Sequence, residues 1–319
     1  MDLALLSSHN IIGMYYARLE NPALNWMDGV SNLFGSDLAM ESYPFLGQNP
    51  RMREWIGGRQ AKGLRGNIMS IINKHYEATM EFALRDLRRD KTPQIQARIS
   101  EFADEGQAHW GTLLSALIAA GTGGTLGLCY DGQYFFDTDH TEGENQTSQS
   151  NSISSDISTL PALVHGSTTA PSVEEMQQSI LAGIVAIMSF KDDQKRPMNT
   201  NGKRFLVLVP IGLYIVAVAA CSTLATAALQ QNLNPNIVAG LTVDVQMDAE
   251  SALTAGFYVF RTDSPIKALI RQNETDPQFK LKDEQSEFAF DNDAIQIGID
   301  AWRAVGYGYW QRACLVTMT

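Results

Sequence analysis

Tyr130-Asp131-Gly132-Gln133-Tyr134-Phe135-Phe136-Asp137-Thr138-Asp139-His140 is a short, aromatic and acidic run placed directly after a long helical segment. A second aromatic run, Ala301-Trp302-Arg303-Ala304-Val305-Gly306-Tyr307-Gly308-Tyr309-Trp310-Gln311, lies near the C-terminal end. Upstream of the first run, Ile95, Ile99, Phe102, Ala103, Trp110, Leu113, Leu114 and Leu117 recur at three- and four-residue steps and predict an amphipathic helix. Pro93 suits its first turn and Gly121-Thr122-Gly123-Gly124 its end. Such a helix is about 40 Å long, enough to act as a spine. Leu126 to Phe136 then reads as a strand. Residues 137–172 carry Asp137, Asp139, Glu142, Glu144 and Asp156 with no Lys or Arg, and read as a surface loop or insertion.

On the N-terminal side, residues 1–40 contain Asn21-Pro22, Asp28-Gly29 and Phe34-Gly35, and read as an irregular arm with Trp26, Leu33 and Phe34 as anchors. Residues 41–70 are rich in Gly and Arg. They suggest a two-stranded excursion too polar to own a core, which must lean on a neighbour. Ser70 to Arg89 fits neither the helical nor the strand period.

On the C-terminal side, Val173 to Phe190 predicts a helix, with Ser172 as N-cap and Glu175 completing a capping box. Phe205 to Val209 reads as a buried strand and Ile211 to Gln231 as a helix. Thr242 to Gln246 and Phe257 to Arg261 read as strands, which makes a sheet with helices packed on it. Ile266 to Gln272, Phe288 to Phe290, Ala294 to Ala304 and Cys314 to Met318 return to strand, with Ile295, Ile297 and Ile299 on one face.

Hydrophobic content of 45% with 18% charged residues describes a globular chain, and 319 residues allow one large or two smaller cores. The net charge of −11 argues against a coat held to nucleic acid by basic patches. Cys129, Cys221 and Cys314 are widely spaced without CxxC, the pattern of reduced core thiols. The start Met1-Asp2-Leu3 lacks the basic head of a signal peptide. The apolar run 205–229 is interrupted by Pro210 and Gly212 and reads as strand, turn and helix, so no membrane partner is expected.

No GxSxG, HExxH or phosphate-cradling loop is present, and neither enzymatic activity nor a cofactor is expected. Asp137, Asp139 and His140 have the close spacing of cation ligands. Acids in a Ser/Thr-rich loop are more commonly just solvated, so no metal is assigned. Arg51, Arg53, Arg59, Lys62 and Arg65 form a basic cluster with Trp55 in the suspected hairpin. With so few aromatics it suits an intersubunit contact on an acidic chain better than nucleic acid, and the 137–156 segment is one candidate partner.

The ordered set Trp55-Ile56-Gly57-Gly58-Arg59, Asn73-Lys74-His75-Tyr76-Glu77, Tyr130-Asp131-Gly132-Gln133, Phe135 to His140 and Gly308-Tyr309-Trp310-Gln311 resembles the major head proteins of Mu-like tailed bacteriophages. The resemblance implies the Hong Kong 97 type capsid fold, an α+β architecture. On it, 1–40 is the N-terminal arm and 41–70 the extended hairpin loop. Residues 71–171 with 263–319 form the peripheral domain, with its spine helix at 93–121, and 172–262 form an axial α/β domain. It implies a shell subunit that assembles as hexamers and pentamers around double-stranded DNA, without sequence-specific binding, inside the host bacterial cytoplasm. Portal, scaffolding or decoration proteins of the same virion are the implied partners. Arg51, Arg53, Trp55, Arg59, Lys62 and Arg65 of the hairpin and Trp26, Leu33 and Phe34 of the arm are the implied intersubunit contacts. A protein-cargo shell of the same fold, like an encapsulin, is the alternative. On this reading Leu113→Asp, on the apolar face of the spine, abolishes folding.

Overall fold

The computed structural model describes residues 26–46, 66–89, 94–142, 147–192, 195–230 and 241–319. The spine is helix α3 (Gln94–Ala119), closed by a 3-10 turn at Ala120–Thr122. It follows strands β1 (Ser31–Gly35), β2 (Met40–Leu46), β3 (Gly66–Ile72) and β4 (Lys74–Ala83), with short helices α1 (Met27–Val30) and α2 (Leu84–Arg89). After it come β5 (Ser152–Ser155), α4 (Val173–Ser189), β6 (Arg204–Pro210), α5 (Tyr214–Gln230), β7 (Thr242–Asp248) and β8 (Gly256–Arg261). The chain closes with β9 (Leu269–Lys282), α6 (Glu287–Asn292), β10 (Ala294–Tyr307) and β11 (Ala313–Met318).

Two larger sheets organise these elements. One has the order β1-β9-β10-β4, the other β5-β11-β8-β6-β7, and β2 pairs with β3 alone. The five-stranded sheet draws most of its strands from 172–262, but β5 enters from the acidic segment and β11 from the end of the chain. Its core is built from Phe205, Val207 and Leu208 of β6 and Phe257, Val259 and Phe260 of β8, against Ile180, Ile184 and Ile187 of α4. Helix α4 sits close because Gly183 faces this sheet: a Cβ there would come within 2.9 Å of both Val259 and Val316. The other sheet packs Ile297 and Ile299 of β10 against Ile99, Phe102 and Ala103 of the spine.

Several expectations need correction. Leu126 to Phe136 is not a strand. Gly127 and Gly132 adopt positive φ of 112° and 83°, and Cys129 N–H donates to Gln133 O and Gly132 N–H to Cys129 O. These bonds fold the run into local turns. Phe288 to Phe290 is helical, within α6, because the Ser286 hydroxyl caps the Ala289 N–H. Residues 27–35 are ordered as α1 and β1, whose backbone pairs in parallel with β9 from Ser31↔Leu269 to Gly35↔Asn273. The absence of a clean period in 70–89 has a simple cause, since strand gives way to helix at Leu84. Strand β9 runs on to Lys282, with Thr275, Phe279 and Leu281 half-buried between exposed polar neighbours. On the spine, Leu114, Leu117 and Ile118 are fully buried, whereas Leu113 is only half-buried. No helix among the described residues is long and apolar enough to cross a membrane.

The capping box forms as expected. Glu175 is fully buried, and its carboxylate accepts from Ser172 N (2.7 Å), Gly166 N (3.0 Å) and the His165 ring (2.9 Å). Burial alone raises its pKa, but the Ser172 and Gly166 N–H groups and His165 outweigh that and hold the carboxyl below its ordinary value. A depressed carboxyl contributes stability that is complete above its unfolded pKa of about 4.3 and is lost as pH falls through the folded value. Glu175→Gln is therefore expected to cost about 1–3 kcal/mol at pH 7, with the gap to wild type narrowing below about pH 4. Urea unfolding of both proteins at the two pH values checks this, and a gap that stays constant contradicts the assignment.

Candidate assembly surfaces

The two aromatic runs, some 170 residues apart in sequence, meet in one buried junction. The His140 ring, with no exposed surface, stacks on Trp310 at 4.2 Å and an interplanar angle of 8°. Its Nδ1 lies 2.7 Å from the Asp131 carboxylate and its Nε2 3.3 Å from Phe135 O. Phe190, which follows α4, meets the Trp310 ring edge-on, and Phe135 stacks on Tyr307 at 4.9 Å. Tyr130, Glu142 and the Gln311 amide hydrogen-bond to one another. Asn151 donates to Phe135 O and Trp310 O. The junction ties the turns after the spine to the link between β10 and β11. The close acids and His140 thus do not converge on a cation: His140 is enclosed, Asp139 is exposed, and Asp137 receives the N–H groups of Tyr134 and Thr138. No group of three or more metal-ligating side chains occurs among the described residues.

The hairpin stem β2–β3 is paired from Met40↔Ile72 to Leu46↔Gly66. Arg51, Arg53, Trp55, Arg59, Lys62 and Arg65 lie outside the described residues. The root of the stem is fixed by buried amides. Gln272 donates to Asn73 Oδ1 (2.7 Å), Asn73 donates to Ser36 Oγ (2.9 Å), and Tyr43 donates to Gln272 Oε1 (2.9 Å). Burial, with Glu41 nearby, pushes the Tyr43 phenol up to about 12, so it donates throughout the neutral range. Between β3, the spine and the turns at 125–132 lies an apolar groove of about 710 Å³, flanked by Ile71, Leu113, Leu126 and Leu128.

The three arm residues separate in the structure. Trp26 packs on the chain's own main core. Leu33 and Phe34 stand exposed on β1, and Phe34 reaches the Tyr43 ring at 5.4 Å. Two apolar surfaces escaped the sequence reading. On α5 and the turn before it, Ile211, Ile215 and Val218 are exposed at helical spacing, and Ile215 is 80% exposed. In the loop before α4, Leu163 is 94% and Val164 72% exposed. The signals were present in a helix without a single charge and in two adjacent aliphatics inside a Ser/Thr-rich loop.

Comparison with known proteins fits this architecture. Residues 13–165 and 237–319, more than half of the chain, match the family described as Mu-like prophage major head subunit gpT; residues 166–236 lie outside the match. A Haemophilus influenzae protein named Mu-like prophage FluMu major head subunit is 35% identical over 127 residues, 38% of this chain and 40% of the relative. The major capsid protein of Escherichia phage Mu is 27% identical over 111 residues, 35% of each chain. The aligned stretches therefore span well under half of these relatives. Among solved structures, the procapsid of bacteriophage JBD30 superposes with a TM-score of 0.57 at 22% identity, over 99% of this chain and 76% of that one. The capsid of cyanophage P-SCSP1u superposes at 0.54 and 9% identity, over 93% and 88%. At such identities the superpositions establish the fold alone, which is α+β and of the Hong Kong 97 type. The extent of the family match does more: this chain belongs to the Mu-like prophage major head subunit gpT family.

Proposed function

We propose that the chain is the major capsid subunit of a tailed bacteriophage, assembling as hexamers and pentamers into the icosahedral head that encloses double-stranded DNA. The observation that carries this reading is the family match over both flanks of the chain. The role is structural: the buried polar cluster around His140 and Asp131 is enclosed by Trp310 and Phe135 and presents no open face to a substrate. The peripheral domain comprises the spine and the β1-β9-β10-β4 sheet. The axial domain comprises 172–262 together with β5 and β11. Leu33 and Phe34, with the hairpin residues Arg51, Arg53, Trp55, Arg59, Lys62 and Arg65, meet neighbouring copies. One sequence in several non-identical shell positions needs compliant contacts, and many modest interfaces then sum by multivalency. The virion is the site of action and the host bacterial cytoplasm the site of assembly. Portal, scaffolding or decoration proteins of the same virion are the partners; the capsid of bacteriophage JBD30 is itself decorated with minor capsid protein trimers.

Negative-stain electron microscopy with light scattering tests the reading. Closed particles or hexameric rings support it, and nucleic acid inside particles separates a genome container from a protein-cargo shell. A monodisperse monomer or dimer, even when expressed with the other head proteins, overturns it. Deleting residues 50–66 is expected to leave a folded subunit, because the buried amide root at Gln272 and Asn73 lies below the cut. Its particles should be absent or fragile to heat and dilution. Particles as robust as wild type would remove the hairpin from the interface.

A further inference from the structure

The loop before α4 presents two aliphatic side chains outward on a firmly anchored support. Besides the bonds that Glu175 receives from Gly166, Ser172 and His165, Gln178 Nε2 donates to Pro161 O at 2.7 Å. Ser167 and Ala170 exchange both backbone bonds, at 3.0 and 2.9 Å. Gly166 admits no side chain, since a Cβ would lie 2.3 Å from Ala170 O. A loop held this tightly could turn Leu163 and Val164 inward, yet both stand in water. Such a projection is convex, so it suits insertion into another apolar surface and not capture of a small ligand.

The charge distribution indicates which surface receives it. The chain carries −11, so copies of it repel unless they meet where charge is missing. Residues 157–172 contain no Asp, Glu, Lys or Arg. Helix α5 contains none either, and its Ile215 and Val218, with Ile211 just before it, are exposed. A helix without charge on any side ordinarily has all its faces covered. Resting on the capsid reading above, we propose that Leu163 and Val164 of one copy insert against the Ile211–Ile215–Val218 stripe of the next copy. The two patches differ, so the contact is head-to-tail and can close a ring.

Paired cysteines test the contact directly. Leu163→Cys with Ile215→Cys is expected to give an intermolecular disulfide ladder in oxidised particles. Either single variant should give none above the background of Cys221, the least buried native cysteine. Normal particles without a ladder overturn the pairing. In parallel, Leu163→Glu and Ile215→Glu should each keep the wild-type circular dichroism and raise the concentration needed for assembly on the order of tenfold or more. Leu163→Lys combined with Ile215→Glu should recover most of that loss. Assembly of Leu163→Glu at wild-type concentration refutes the contact even if the shell reading stands. Failure of the wild-type chain to assemble with its head proteins removes the shell reading instead, and this contact with it.

Discussion

Trp310→Ala is expected to destabilise the subunit by about 3–5 kcal/mol, the range for deleting a fully buried large aromatic. The indole has no exposed surface and is a shared wall of the junction: His140 stacks on its face and Phe190 meets its edge, while the bond from Asn151 goes to the Trp310 backbone carbonyl and survives the substitution. Removing it leaves a cavity and uncovers the His140–Asp131 pair, whose side chains are 0% and 4% exposed. Because the buried indole N–H has no hydrogen-bond partner among the described residues, no such bond is lost with the ring. Trp310→Phe should therefore cost less than about half as much, since it keeps the stacking surface and removes an unsatisfied donor. Denaturant unfolding of the isolated subunit measures both. A Trp310→Ala protein within about 1 kcal/mol of wild type would mean that the junction is not the clasp described here. Given a typical domain stability of 5–15 kcal/mol, a loss at the upper end should also lower the yield of soluble subunit.

The same junction shows what could be read from residues alone. Both aromatic runs were visible, because aromatic density is a local property. Their meeting was not, because it depends on a contact across some 170 positions, and no spacing rule reports it. The spine, the capping box at Ser172 and Glu175, the buried strand at 205–209 and the Ile295–Ile297–Ile299 face were legible because each is set by neighbours within a few turns. Leu126 to Phe136 misled for the converse reason. Its aromatic residues suit a strand, but Phe135 and Phe136 are held by Tyr307 and Tyr258, and two glycines at positive φ bend the backbone out of any sheet. Strands β1 and β5 were hidden because each borrows its hydrogen bonds from a distant partner, β9 and β11 respectively. The exposed face of α5 was hidden differently: a helix apolar on every side shows no periodicity from which an outer face could be chosen.

Leu114→Asp is expected to abolish folding, whereas its neighbour Leu113→Asp should yield a folded subunit. The periodicity placed both leucines on the apolar side of the spine and cannot rank them, since adjacent helical positions point about 100° apart and a wide stripe includes both. The structure ranks them. Leu114 is fully enclosed in the main core with Leu117 and Ile118, where an aspartate would be buried among apolar side chains. The change forfeits about 1.5–3 kcal/mol of leucine burial and adds the several kcal/mol cost of an unpaired buried carboxylate. Together these rival the whole stability of a typical domain. Leu113 is half-buried and flanks the groove beside β3, where a carboxylate can turn to solvent. Its replacement should cost no more than about 1–2 kcal/mol. Circular dichroism and soluble yield of the two variants decide the matter. Equal collapse of both would mean that the groove is closed in the folded subunit, and equal tolerance would mean that Leu114 does not sit in the main core. The expected split, one variant lost and one retained, places the inner face of the spine along Leu114, Leu117 and Ile118 and leaves Leu113 on the wall of the groove.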